Sequence, residues 1–218
     1  MGIRDIRAVL FDMDGTLVDS DAAVERAWTV WAGEYGVPVA DVLAIAHGSP
    51  AESTVDRMRP DLPAEERAAA AARQLELQYV DLSDVVATPG AYEVLSALDA
   101  LGLPWAVVTS ADNRLAKVRL AAAGIEPRVL VTVEDISRRK PHPEGYVHAA
   151  DLLGLPPAYC LVVEDAEVGL AAGRAAGAVT AGLKGLAADI QLADLHQLAD
   201  LLAAARTEDT GSTDLTAG

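Results

Sequence analysis

The 218-residue chain predicts an α/β fold: a doubly wound parallel sheet with a small helical domain inserted into it. Three observations point there. Ala8 to Phe11 is a continuously apolar run, which marks a strand buried on both faces. From residue 88 onward, short apolar runs alternate with helical periodicities, as in a parallel sheet covered by helices. Between them, residues 20–83 carry helical periodicity and no convincing strand, so they read as an insertion after the first strand.

In the insertion, Val24, Ala27, Trp28, Trp31 and Tyr35 recur at helical spacing and form one apolar face; Gly36 and Pro38 end that helix. Trp28 and Trp31 are assigned to packing. Further helices are expected at 41–46, 50–58 and 64–79, the last rich in alanine and in charges suited to an exposed face. Pro89 and Gly90 then open a helix to Ala100, and Leu103 to Thr109 is a strand. Asp112 caps a helix to Ala123, which Gly124 stops. A short strand at 129–133, a helix at 143–153 and a strand at 159–164 follow. A helix at 166–176 stopped by Gly177, a strand at 178–182 and a helix at 193–204 complete the pattern. The expected organisation is a core of 1–17 and 88–206, a helical domain of 18–87, and a polar, aperiodic tail of 207–218.

The composition is that of a globular protein, 51% hydrophobic and 23% charged. A net charge of −16 argues against nucleic acid or an anionic membrane as partner, since neither would meet a cationic surface. It also means that an anionic substrate needs local positive charge. The single cysteine, Cys160, lies in an apolar run and reads as a small buried hydrophobe. There is no apolar stretch of transmembrane length and no signal segment ahead of the first strand, so a cytoplasmic location is expected. Nothing marks a long hydrophobic seam, and a monomer is expected.

The chemistry gathers at strand ends. Asp12 and Asp14 follow the first apolar run, with Gly15 next. Ligands of open α/β sheets collect beyond the carboxyl ends of the strands, and two carboxylates there call for a cationic partner. Thr109 and Ser110 end another strand, where hydroxyls and turn N–H groups can hold phosphate oxygens. Lys140, one of three lysines, precedes Pro141, which biases it onto a loop. Its ammonium could neutralise both a nucleophilic carboxylate and a transferring group. Glu164 and Asp165 end a further apolar strand at the same sheet edge. Asp12, Asp14 and Asp165 make an oxygen-only set, suited to Mg²⁺ rather than Zn²⁺. Glu164 is either a direct ligand or a support for one, the latter preferred.

Asp-x-Asp-Gly-Thr from Asp12, Thr109-Ser110, Lys140-Pro141, and Glu164-Asp165 with a following Gly169 resemble, in order and spacing, the four motifs of the haloacid dehalogenase superfamily. The likeness is to its phosphatase branch with a small helical cap, in particular bacterial sugar-phosphate phosphatases. The resemblance implies a Rossmann-like core, a small phosphate ester as substrate, and Mg²⁺ held by Asp12, the Asp14 backbone carbonyl and Asp165. It makes Asp12 the nucleophile that forms an aspartyl-phosphate, and Asp14 the acid and then the base. Thr109 would grip the phosphoryl oxygens and Lys140 would offset charge. The cap, with His47, Gly48 and Ser49 as contact loop and Glu52 as a lesser candidate, would select substrate and exclude water. Asp19 would stabilise the hinge or reach a substrate hydroxyl. Two alternatives stand beside a phosphatase. A β-phosphoglucomutase-like enzyme would carry a histidine where this chain has Val24. The other is a catalytically silent sugar-phosphate binding protein.

Overall fold

The computed structural model describes residues 3–46 and 50–210. It falls into two compact units, Met1–Asp19 with Ala87–Gly218, and Ser20–Val86. The strands are β1 (Ala8–Phe11), β2 (Val18–Asp19), β3 (Val86–Ala87), β4 (Trp105–Val108), β5 (Leu130–Val131), β6 (Cys160–Glu164), β7 (Val179–Gly182) and β8 (Ile190–Gln191). The helices are α1 (Asp21–Tyr35), α2 (Val39–Ala46), α3 (Ala51–Met58), α4 (Ala64–Leu77), α5 (Ala91–Leu101), α6 (Asn113–Ala122), α7 (Glu144–Leu152), α8 (Glu167–Ala175) and α9 (Leu195–Thr210).

The larger unit is built on a six-stranded sheet in the order β5-β4-β1-β6-β7-β8. Every pairing in it is parallel. All four residues of β1 and all five of β6 are buried, which is why β1, and β6 up to Val163, are unbroken apolar runs rather than alternating ones. Phe11 sits opposite Val107 on one side and Val163 on the other, so β4, β1 and β6 finish level with one another. The chain leaves β1 toward β4 but leaves β6 toward β7. Connections therefore diverge at the β1–β6 boundary, the place where open α/β sheets hold ligands.

One core layer packs Ala8, Leu10, Ala106, Val108 and Val162 with Tyr146, Ala149 and Ala150 of α7. Small residues let this helix approach closely: a Cβ at Gly145 would come within 3.0 Å of Val108 Cγ1. Cys160 belongs to the same layer, and burial pushes its thiol up to about 11, so it stays protonated and inert. Asp112 caps α6, its carboxylate accepting from Leu115 N at 2.8 Å. Gly90, at φ 84°, must be glycine because a Cβ would meet the backbone of His196.

The smaller unit is a bundle of α1 to α4. Trp28, Trp31, Val42, Val55 and Ala70 lie in its core. Trp31 stacks on Tyr35 at 4.7 Å, packs edge-on to Trp28 at 5.2 Å, and donates its indole N–H to Ala70 O at 2.9 Å. Arg26 forks onto Asp84 at 2.5 and 2.8 Å, tying α1 to the segment ahead of β3.

Several elements differ from expectation. β2, β3 and β8 span two residues each, too short to leave a period in sequence. The strand expected at 129–133 is paired only over Leu130–Val131. The helix expected to stop at Ala204 continues to Thr210, into the stretch expected to be tail, because Ala204, Ala205, Arg206 and Glu208 are good helix formers. Residues 211–218 lie outside the described residues. Among those described, no helix is long and apolar enough to cross a membrane.

Candidate active site

Lys140 organises the carboxyl edge of the sheet. Its side chain is only 9% exposed, and its three N–H groups are all committed. They donate to Asp12 Oδ1 at 2.5 Å, to Glu164 Oε1 at 2.6 Å and to Val108 O at 3.0 Å. One ammonium thus stitches together the ends of β1, β6 and β4. Three residues far apart in sequence meet because those strands are neighbours in level register.

Glu164 is buried, and both of its oxygens are engaged. Oε1 accepts from Lys140 and from the Tyr146 hydroxyl at 2.6 Å, and Oε2 accepts from Ala166 N at 3.3 Å. Burial drives the Lys140 ammonium toward losing its proton, but Asp12 and Glu164 outweigh this and hold it above its ordinary value. Burial, with Glu164 and Asp12 nearby, pushes the Tyr146 phenol well up, so it serves as a donor. Burial and the Glu164 charge also raise the Asp12 carboxyl, against the pull of Lys140. A divalent cation beside Asp12 would act against that rise.

The donor set fits such a cation. Oxygens of Asp12, Glu164 and Asp165 lie within 4.8 Å of one another. An all-carboxylate cluster without sulfur or imidazole suits a hard divalent ion such as Mg²⁺. Gly15, at φ 78°, closes one wall, since a Cβ there would meet the Asp165 carboxylate. Lys184 Nζ stands 2.8 Å from Asp165 Oδ2. Within this cluster Glu164 Oε1 is already engaged by Lys140 and Tyr146.

Asp14 takes a different direction. Its carboxylate lies 2.9 Å from Arg119 Nη1 and is not a member of the Asp12–Glu164–Asp165 cluster, whereas the sequence led to the expectation of Asp12, Asp14 and Asp165 together. Its turn is tight: Gly15 N donates to Val18 O at 2.7 Å, and Leu17 N and Val18 N both donate to Met13 O at 2.9 Å. Thr109 is buried beyond β4, and its Oγ1 accepts from Ala111 N at 3.1 Å, which orients the hydroxyl. Ser110 is exposed in the same turn, and Asp19 is exposed at the end of β2. Glu52 lies in the first turn of α3. His47, Gly48 and Ser49 lie outside the described residues.

Arg119, Tyr146 and Lys184 are the site residues that sequence reasoning missed. Arg119 left a signal: it interrupts the buried stripe Leu115, Ala116, Leu120 of α6, where an arginine requires an anion. Nothing in sequence ties Tyr146 to Glu164, 18 residues away. Nothing in sequence ties Lys184 to Asp165.

A family model described as haloacid dehalogenase-like hydrolase matches residues 6–177. The chain is 43% identical to hexitol phosphatase A of Escherichia coli, over 78% of this chain and 80% of that one. It is 36% identical to 2-deoxyglucose-6-phosphate phosphatase 1 of Saccharomyces cerevisiae, over 80% and 78% of the respective chains. Among solved structures, β-phosphoglucomutase from Clostridium difficile superposes with a TM-score of 0.79, covering 94% of this chain and 99% of the other at 20% identity, a likeness of fold alone. The carboxylates at the ends of β1 and β6 thus sit in a parallel α/β core of known lineage, and the chain belongs to the haloacid dehalogenase-like hydrolases.

Proposed function

We propose that this chain hydrolyses phosphate monoesters of small sugars or polyols, with Mg²⁺, through an aspartyl-phosphate on Asp12. It is a phosphoric monoester hydrolase, as its curated relatives are by name. The observation that carries the mechanism is the Lys140 ammonium shared between Asp12 and Glu164 at adjacent strand ends. A carboxylate so held is ready to attack, and Lys140 offsets charge where an anionic phosphoryl group must approach it.

In the first half-reaction, an Asp12 oxygen bonds to phosphorus as the ester P–O bond breaks, and the leaving oxygen takes a proton from Asp14. In the second, a water oxygen bonds to phosphorus, the bond to Asp12 breaks with its electron pair returning to the carboxylate, and Asp14 receives the water proton. Thr109 and the N–H groups of its turn hold phosphoryl oxygens. Mg²⁺, bound by Asp12, Asp165 and the Asp14 backbone carbonyl, would supply charge neutralisation for the phosphoryl group. Glu164 and Tyr146 keep Lys140 in place. Sugar and polyol esters are favoured as substrates by the relatives' named ones, a hexitol phosphate and a 2-deoxyhexose 6-phosphate.

The test is phosphate release from a panel of sugar, polyol and nucleotide monophosphates with Mg²⁺, with and without EDTA. Release from sugar or polyol esters, abolished by EDTA and restored by Mg²⁺, is expected. Interconversion of β-glucose 1-phosphate and glucose 6-phosphate without free phosphate would instead identify a mutase. No turnover of any ester would leave only a binding protein.

A further inference from the structure

We infer that Arg119 is a positioning residue for Asp14 in the water-consuming half-reaction, an inference that rests on the phosphatase reading above. Arg119 lies on α6 among Leu115, Ala116 and Leu120, and its side chain is 3% exposed. Taking a guanidinium out of water is unfavourable unless an anion is fixed beside it. The anion is Asp14, whose Oδ1 lies 2.9 Å from Nη1 while its side chain remains 32% exposed. The pair is therefore one-sided: a buried cation holds the carboxylate from behind, and solvent reaches it from the other side.

That arrangement suits a base. An aspartate side chain on a turn has several rotamers, and only some can take a proton from a water attacking a phosphoryl group on Asp12. A cation anchored in a helix selects one of them. Apolar packing on α6 would be served as well by methionine, so the charge at this position acts on Asp14 rather than on the core. The step it supports is the one in which water bonds to phosphorus, the Asp12–phosphorus link opens, and the water proton passes to Asp14.

p-Nitrophenyl phosphate separates this step from the first, because p-nitrophenolate leaves without a proton. With Arg119→Met, a rapid-mixing experiment is expected to show a burst of one p-nitrophenolate per enzyme at close to the wild-type rate. Steady turnover should then be slower by about 10- to 100-fold, the range for a misplaced catalytic group. Acid-quenched protein should carry one extra phosphoryl group by intact mass. Arg119→Gln, whose amide ends two bonds short of the Nη1 that meets Asp14, carries the same expectation should the methionine chain not fold. Loss of burst and steady rate in equal measure, with no phosphoenzyme, would overturn the role, as would unchanged kinetics. A wild-type chain that hydrolyses no monoester would overturn the phosphatase reading as well; wild-type hydrolysis with an unaltered balance of steps in the variants would overturn only the role of Arg119.

Discussion

Gly169→Ala tests whether the placement of Lys140 depends on a glycine in α8. Gly169 lies in the first turn of α8 and is buried. A Cβ there would fall on the Glu164 carboxylate, meeting Oε1, Cδ and Oε2 together. Glu164 cannot retreat freely, because it is enclosed and holds Lys140 and Tyr146 at 2.6 Å each. Alanine favours the helix by ~1 kcal/mol over glycine. Against that stand forced repacking, ~1–3 kcal/mol, and at least one weakened charge-assisted hydrogen bond, ~1.5–3 kcal/mol. A net destabilisation of about 2–5 kcal/mol is expected, read as a lower urea midpoint. Lys140 then loses its second anchor, and a shift of about 1 Å at Asp12 lowers kcat by ~10²-fold. Gly173→Ala is the control: its Cβ would press on Val162 and Thr180 side chains instead, so stability should fall while kcat stays near wild type. A Gly169→Ala protein with wild-type midpoint and kcat would refute the argument that Glu164 is held rigidly behind Lys140.

Other outcomes follow from the same site. Asp12→Asn should lose at least ~10³-fold in kcat on every ester, and residual activity within about tenfold of wild type would defeat its role as nucleophile. Asp14→Asn should slow the first, ester-cleaving step nearly as badly on alkyl phosphates but far less on p-nitrophenyl phosphate, whose leaving group needs no acid; in rapid-mixing experiments, equal losses in that step on both esters would argue against the acid role. Asp189 accepts from Thr180 N and Oγ1, both at 2.9 Å, and these bonds, the backbone one first, hold its carboxyl below the ordinary range. A depressed carboxyl stabilises the fold above its unfolded value of about 3.9 and loses that effect as pH falls through the folded one. The stability difference between wild type and Asp189→Ala should therefore be full near pH 6 and shrink toward pH 3, and a pH-independent difference in urea midpoint would count against this.

How far the site could be read from sequence depended on whether a residue's role was local. Ala8 to Phe11 and Cys160 to Val163 announced buried strands because nothing else in a globular chain is continuously apolar over so short a span, and their terminal carboxylates followed from the rule for sheet edges. Asp112 and Gly36 marked helix ends through backbone chemistry confined to a few neighbouring residues. The paired dipeptides β2, β3 and β8 escaped because two residues cannot show a period.

Sequence alone determined the fold class and the four motifs, and led to the expectation of an oxygen-only cation site, since each rests on residue type and spacing along one stretch of chain. Only the tertiary structure decided that Lys140 divides its protons among Asp12, Glu164 and Val108, that Tyr146 braces Glu164, and that Asp14 turns to Arg119. Those pairings join positions far apart in the chain, and which charge meets which is set by strand order and register. A linear pattern does not encode either one residue at a time.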